Sequence, residues 1–282
     1  MADLADLTAT ELLAGYRDDS FTPVDATRDV LAAIDAHEPE VNAFVMVDRD
    51  TALAAAEDSS KRWSQGEPLG PGDGVPASIK DIFLTRGWPT LRGTVLIDEA
   101  GPWEVDAPCT ARLRETGAVL LGKTTAPEFA WKGVTDSMRH GSTGNPWDTS
   151  LTSGGSSGGS AAAVGLGMGP WSVGTDGGGS VRIPASFTGT VALKPTYGLV
   201  PMFPASPFGT LAHAGPMTRT VTDAALLMDV IAGFDSRDWS ALPTPTVSFL
   251  EGLDDGVKGF RIAFSADLGY VRNDPEVEAL VR

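Results

Sequence analysis

Between residues 75 and 173, short apolar runs of strand length alternate with segments that open like helices, which limits the chain to an α/β arrangement. Residues 75–79 read as a strand, Pro108–Glu115 as a helix, 119–121 as a strand and 127–131 as a short helix. Residues 161–167 read as helical and 171–173 as a strand. The N-terminus is helical. Thr8-x-x-Glu11 ahead of Leu12 and Leu13 has the form of a capping box, and Thr22-Pro23 with Asp25 opens a second helix carrying Val24, Leu31 and Ile34 on one side. The run 41–47 before alanine-rich 52–63 is open to two readings, a further helix or a strand and then a helix. Thr220 caps a helix over 221–232 with Gly233 beyond it, 261–264 reads as a strand, and Asp274-Pro275 starts a helix still running at Arg282.

A chain of 282 residues, 42% of them hydrophobic, can bury a core in one large domain or two ordinary ones. The formal net charge of -16 speaks against nucleic acid and anionic membrane as partners, because both attract basic surfaces. The apolar stretch 161–174 is short and interrupted by glycines, so it does not span a bilayer as a helix. Cys109 is the one cysteine and can form no internal disulfide. The opening MADLADLTATELLAG has neither a basic nor an apolar leader region, which points to a cytoplasmic location.

Two glycine runs carry the chemistry. Residues 153–160, SGGSSGGS, have the composition of a flexible linker, but the helical segment directly after them favours close backbone approach at a helix N-terminus. Thr175-Asp176-Gly177-Gly178-Gly179-Ser180 places three residues without Cβ before a hydroxyl. Such a stretch can turn several N–H groups toward one point, as a tetrahedral oxyanion requires, although Gly-Gly-Gly is also a plain turn. A serine nucleophile needs a base. His37, His140 and His213 have no setting that singles one out, and no group of residues has zinc-ligand spacing. Lys80, ending the strand-like 75–79, becomes a base only if it is buried, where a lysine loses charge stabilisation.

Together these pieces resemble the amidase signature family: VPASIKD at 75–81, GNPWD at 144–148, SGGSSGGSAAAV at 153–164, GTDGGGSVRIPAS at 174–186 and GPMTRTVTDAALLMDVIAG at 215–233, in the family's order. The resemblance implies a mixed β-sheet core with helices on both faces. It suggests an N-terminal helical region over 1–70 and the signature core over 71–282, with the C-terminal part of the family domain missing. By motif, Lys80 matches the family's base, Ser156 the serine held by a cis peptide bond and Ser180 the acylated serine. Backbone N–H groups of Gly177, Gly178 and Gly179 would hold the oxyanion. Asp176 and Arg182 are expected as an orienting pair, and Ser157 and Thr175 as members of the hydrogen-bond network. Gly177 stands where threonine is frequent, and Ser153 where proline is.

The resemblance implies hydrolysis of a small-molecule carboxylic amide without metal or organic cofactor, with a second copy of the chain as a further candidate partner. Within the family the rival is the glutaminase component of an aminoacyl-tRNA amidotransferase; Val181-Arg182-Ile183-Pro184 and Gly177 look more like the free-standing enzymes. A phosphate or nucleotide binder lacks G-x-x-x-x-G-K-[ST] and leaves Lys80 and Ser180 without a role. An inactive fragment that keeps the fold is the third reading.

Overall fold

The computed structural model describes residues 4–281. Both capping boxes close. Thr8 and Glu11 exchange hydrogen bonds at the head of α1 (Ala9–Arg17), and Thr22 and Asp25 do so for α2 (Pro23–Val41). The ambiguous run resolves as β1 (Phe44–Val47) followed by α3 (Arg49–Gln65), whose first turn Asp48 caps. Next come β2 (Pro76–Lys80), α4 (Pro108–Glu115) and β3 (Val119–Thr124). The helix expected at 127–131 is a single 3-10 turn, Glu128–Ala130, because Phe129 takes a left-handed φ of 50°. Two small ladders follow, β4 (Asp136–Ser137) with β5 (Gly141–Ser142) and β6 (Gly144–Asn145) with β7 (Asp148–Thr152).

The region continues with α5 (Gly158–Gly165), β8 (Trp171–Asp176), α6 (Arg182–Thr188), β9 (Val191–Ala192), β10 (His213–Thr218) and α7 (Val221–Ile231). Neither α6 nor β10 is evident in the sequence. The N-cap of α6 supplies no side-chain acceptor, and β10 contains Gly215 and Pro216, which disfavour strands. Pro216 is tolerated because β9 pairs only with Met217 and Thr218.

Six strands form one sheet in the order β1-β3-β2-β8-β10-β9. β2 runs parallel to both β3 and β8, while β1, β10 and β9 join antiparallel, so the sheet is mixed as expected. The side-chain period of two sorts its faces. Leu120 of β3 joins Ile79, Trp171 and residues of α1, α4 and α7 in one apolar cluster. Val119 and Leu121 join residues of α2, α3 and α5 in another. Helices therefore cover both faces. The first 70 residues contribute strand β1 as well as three helices. Two charges in the 215–233 motif tie that N-terminal region down. Buried Asp223 accepts from Ala9 N–H and Thr10 N–H, and Arg219 donates to the carbonyls of Leu7 and Val164.

Small residues let α5 approach the sheet. A Cβ at Gly159 would lie 2.2 Å from Thr125 Oγ1 and 2.5 Å from the Ala43 carbonyl oxygen. Gly159→Ala should gain up to about 1 kcal/mol of helix propensity. Overpacking against fixed backbone offsets this by about 1–3 kcal/mol or more, so the variant should unfold at lower urea concentration than the parent.

The chain divides after Glu251. The C-terminal unit is a succession of turns ending in α8 (Pro275–Val281), where Asp274 Oδ1 accepts from Glu276 N–H. The strand expected at 261–264 is not formed; among its described residues the unit offers no second strand for that segment to pair with. Among the described residues no helix is long and apolar enough to cross a membrane.

Candidate active site

The expected lysine is buried. Lys80 closes β2, all of whose residues are buried, and is itself 0% exposed. Alternation along β2 places Ser78 and Lys80 on one face, and Ser78 Oγ meets Ser172 Oγ of β8 at 2.8 Å. One step further along β8 is Gly174, where a Cβ would come within 2.8 Å of Ser157 Oγ. Glycine there leaves room for the lysine and its partners. Lys80 Nζ lies 2.7 Å from Ser156 Oγ, 2.9 Å from Ser157 Oγ and 2.7 Å from Thr175 Oγ1. Burial pushes its pKa well below the ordinary lysine range, against the opposing pull of the Asp176 charge.

Counting protons around Nζ defines what the cluster can do. Ser157 Oγ donates to the Thr175 carbonyl at 3.2 Å, so toward Lys80 it acts as an acceptor. An ammonium would donate to all three hydroxyls. A neutral amine has two N–H donors and one lone pair. It can donate to Ser157 and Thr175 while accepting from Ser156, which has no other hydrogen-bond partner among the described residues.

Residues 153–160 are buried throughout and run into α5, so they are not a linker. The Gly155–Ser156 peptide is cis, as the resemblance implies. Ser157 N–H donates to the Ser180 carbonyl at 3.1 Å, which joins this loop to the second glycine run.

That second run is organised by Asp176. Its carboxylate accepts from Gly179 N–H at 2.8 Å and Val181 N–H at 3.3 Å, and from Arg182 Nε and Nη2 at 2.9 Å each. Burial pushes the Asp176 pKa up, but these donors outweigh it and hold the group below the usual carboxylate range. Asp176 and Arg182 therefore form an ion pair. One expectation changes: Gly179 N–H is already committed to Asp176, and the N–H groups of Gly177 and Gly178 are the ones with no protein acceptor among the described residues.

Ser156 and Ser180 line the same cleft, of about 430 Å³, together with Gly177 and Gly178. Of the two links that would join Lys80 through Ser156 to Ser180, only the first is formed among the described residues. Ser180 sits half-buried on the open loop between β8 and α6, where its hydroxyl makes no hydrogen bond among the described residues. Such links often tighten only when substrate fills a site. Much of the remaining wall is apolar, with Phe129, Ile183, Met202 and Phe203, and Trp131 stacks on Phe208 with ring centroids 5.3 Å apart.

A second buried lysine is not evident from the sequence. Lys123 of β3 pairs with Asp81 at 2.9 Å, both 0% exposed, and also donates to the Pro89 carbonyl and Thr90. Burial brings its pKa down to about 8 against the opposing pull of Asp81. The signal available was a lysine inside the apolar VLLGKTT. Among the described residues no histidine contacts Lys80, Ser156 or Ser180, and no three His, Cys, Asp or Glu side chains converge as a metal site.

Comparison with known proteins identifies the family. A family model described as Amidase matches residues 25–282. The chain is 44% identical to the A subunit of glutamyl-tRNA(Gln) amidotransferase from Streptomyces coelicolor, over 93% of its own length and 53% of that protein's. The corresponding protein of Myxococcus xanthus is also 44% identical, over 99% of the chain and 57% of the relative. Among solved structures, a bacterial aryl acylamidase of the amidase signature family superposes with a TM-score of 0.90 at 33% identity, covering 98% of this chain and 57% of that one. The 6-aminohexanoate cyclic dimer hydrolase, solved with substrate, gives 0.79 at 32% identity over 89% and 51%. The chain thus spans about half the length of the relatives it matches. Sequence motifs, sheet topology and these likenesses agree, and the chain belongs to the amidase signature family.

Proposed function

We propose that the chain carries the acyl-transfer machinery of an amide hydrolase, which cleaves a carboxylic amide to acid and amine or ammonia. The observation that carries this reading is the buried Lys80, held among hydroxyls with its pKa depressed and one of them, Ser156, lining the same cleft as Ser180. Neutral Lys80 takes a proton from Ser156 as Ser156 takes one from Ser180, and Ser180 Oγ attacks the amide carbon. The N–H groups of Gly177 and Gly178 receive the oxyanion. The proton returns through Ser156 to the leaving nitrogen, the C–N bond breaks, and an acyl-enzyme remains on Ser180. Water then attacks that ester by the same relay. Asp176 and Arg182 act as positioning residues, since they shape the glycine loop without touching substrate.

The apolar cleft supports a free-standing amidase acting on amides with an apolar or aromatic portion. A second reading, the glutaminase component of a tRNA-dependent amidotransferase, is favoured by the 44% identity to the Streptomyces coelicolor protein. Incubating the purified chain alone with acetanilide and with glutamine separates them. The free-amidase reading expects release of aniline without any partner. Glutamine hydrolysis that appears only with partner proteins and tRNA, with no anilide turnover, would assign the chain to the amidotransferase.

A further inference from the structure

The wall of the cleft holds a cation, Arg92, that no group among the described residues answers. Of its other charged residues, Asp176 is paired with Arg182 and Lys132 with Asp136 at 2.8 Å. The Arg92 guanidinium donates no hydrogen bond and joins no ion pair among the described residues, and its Nε is buried without an acceptor. In a chain with 37 acidic residues against 21 basic ones, this is not for want of carboxylates. A guanidinium presents five N–H donors in a planar fork; Arg92 is half-buried, with its Nε shut off from water, and a buried donor without a partner is unfavourable.

The backbone holds Arg92 in that place. Among the described residues six that are not glycine have a left-handed φ, and three of them, Arg92 (54°), Phe129 (50°) and Ala130 (58°), line this one cleft. Such conformations cost on the order of 1–3 kcal/mol each and persist where their surroundings enforce them, most often at ligand sites. The enforcement is visible here. Leu91 N–H donates to Asp81 Oδ1 at 3.2 Å, Asp81 is fixed by Lys123, and Phe129 N–H donates to the Arg92 carbonyl at 2.8 Å. Asp81 pairs with Lys123 through Oδ1, and no hydrogen bond or ion pair joins it to Arg92 among the described residues.

We infer that Arg92 is a specificity-determining residue that receives a carboxylate of the substrate, so that the preferred amides carry a carboxylate elsewhere in the same molecule. An arginine fork matches a carboxylate with two parallel charge-assisted hydrogen bonds, and the apolar walls suit the carbon chain between carboxylate and amide. The substrate class rests on the amide-hydrolase reading; the carboxylate site itself does not.

Two matched series test it: anilides of dicarboxylic acids and N-acetyl ω-amino acids, with two to five methylenes, each against its methyl ester. Calorimetric binding to the Ser180→Ala protein reads recognition without turnover. The best acid should bind at least about tenfold more tightly than its ester, as hydrogen bonds between charged groups imply. The ratio should fall to near one in Arg92→Asn and Arg92→Gly, both suited to the left-handed turn, and be partly kept in Arg92→Lys. Esters bound as well as acids throughout, or a preference unchanged by losing Arg92, would overturn the inference. Acid preference without turnover by the chain with Ser180 intact would leave the carboxylate site standing and sink the hydrolase reading. Turnover without acid preference would do the reverse.

Discussion

Lys80→Met should lower kcat by about 10²- to 10⁴-fold, the range that a positioned proton-transfer group contributes, and should abolish the acidic limb of the pH–rate profile. In the parent protein the relay works only with neutral Lys80, so the rate rises as pH climbs through a Lys80 pKa that burial has pushed well below 10.5. The same shift has a signature in stability. In the unfolded chain Lys80 titrates near about 10.4. Between its folded and unfolded pKa values the unfolded state binds more protons, so stability increases with pH across that window and levels off above it. Lys123, whose pKa is about 8, adds a slope of the same sign and remains in the variant. Urea unfolding of Lys80→Met between pH 7 and pH 10 should therefore show a shallower rise of stability than the parent. An unchanged slope together with an unchanged rate would mean that Lys80 is charged in the fold and is not the base.

Ser180→Ala should remove turnover by on the order of 10⁴- to 10⁶-fold, because it deletes the atom that forms the covalent intermediate and leaves only binding and oxyanion stabilisation. The fold should tolerate the change. Ser180 Oγ makes no hydrogen bond among the described residues, its backbone carbonyl keeps the bond from Ser157 N–H, and Asp176 still holds Gly179, Val181 and Arg182. Melting temperature close to the parent with amide hydrolysis at background is the expected pair of results. A large loss of both would mark Ser180 as structural.

The candidate site residues were legible in the sequence through motifs that resemble the amidase signature; read locally, a lysine ending an apolar strand and serines beside glycines left a linker or a plain turn equally open. Lys80 and Ser156 are 76 residues apart, and it was the resemblance of their motifs to the amidase signature that paired them. What stayed hidden depends on contacts the sequence does not spell out. Gly215 and Pro216 mask β10, whose place is secured by pairing with β8. The segment 261–264 has strand-like composition but no partner strand in its own unit. The commitment of Gly179 N–H to Asp176 is a matter of loop geometry. Arg92 draws no attention as a letter, and its interest comes from a left-handed turn and from a guanidinium with no hydrogen bond or ion pair among the described residues.

The most direct measurement of the central claim is covalent labelling by a fluorophosphonate, mapped by peptide mass spectrometry across pH. The mechanism requires one phosphonyl group, on Ser180, at a rate that rises with pH as Lys80 loses its proton and that collapses in Lys80→Met. A label on any other residue, or labelling of Ser180 at the same rate with Lys80 removed, would contradict it.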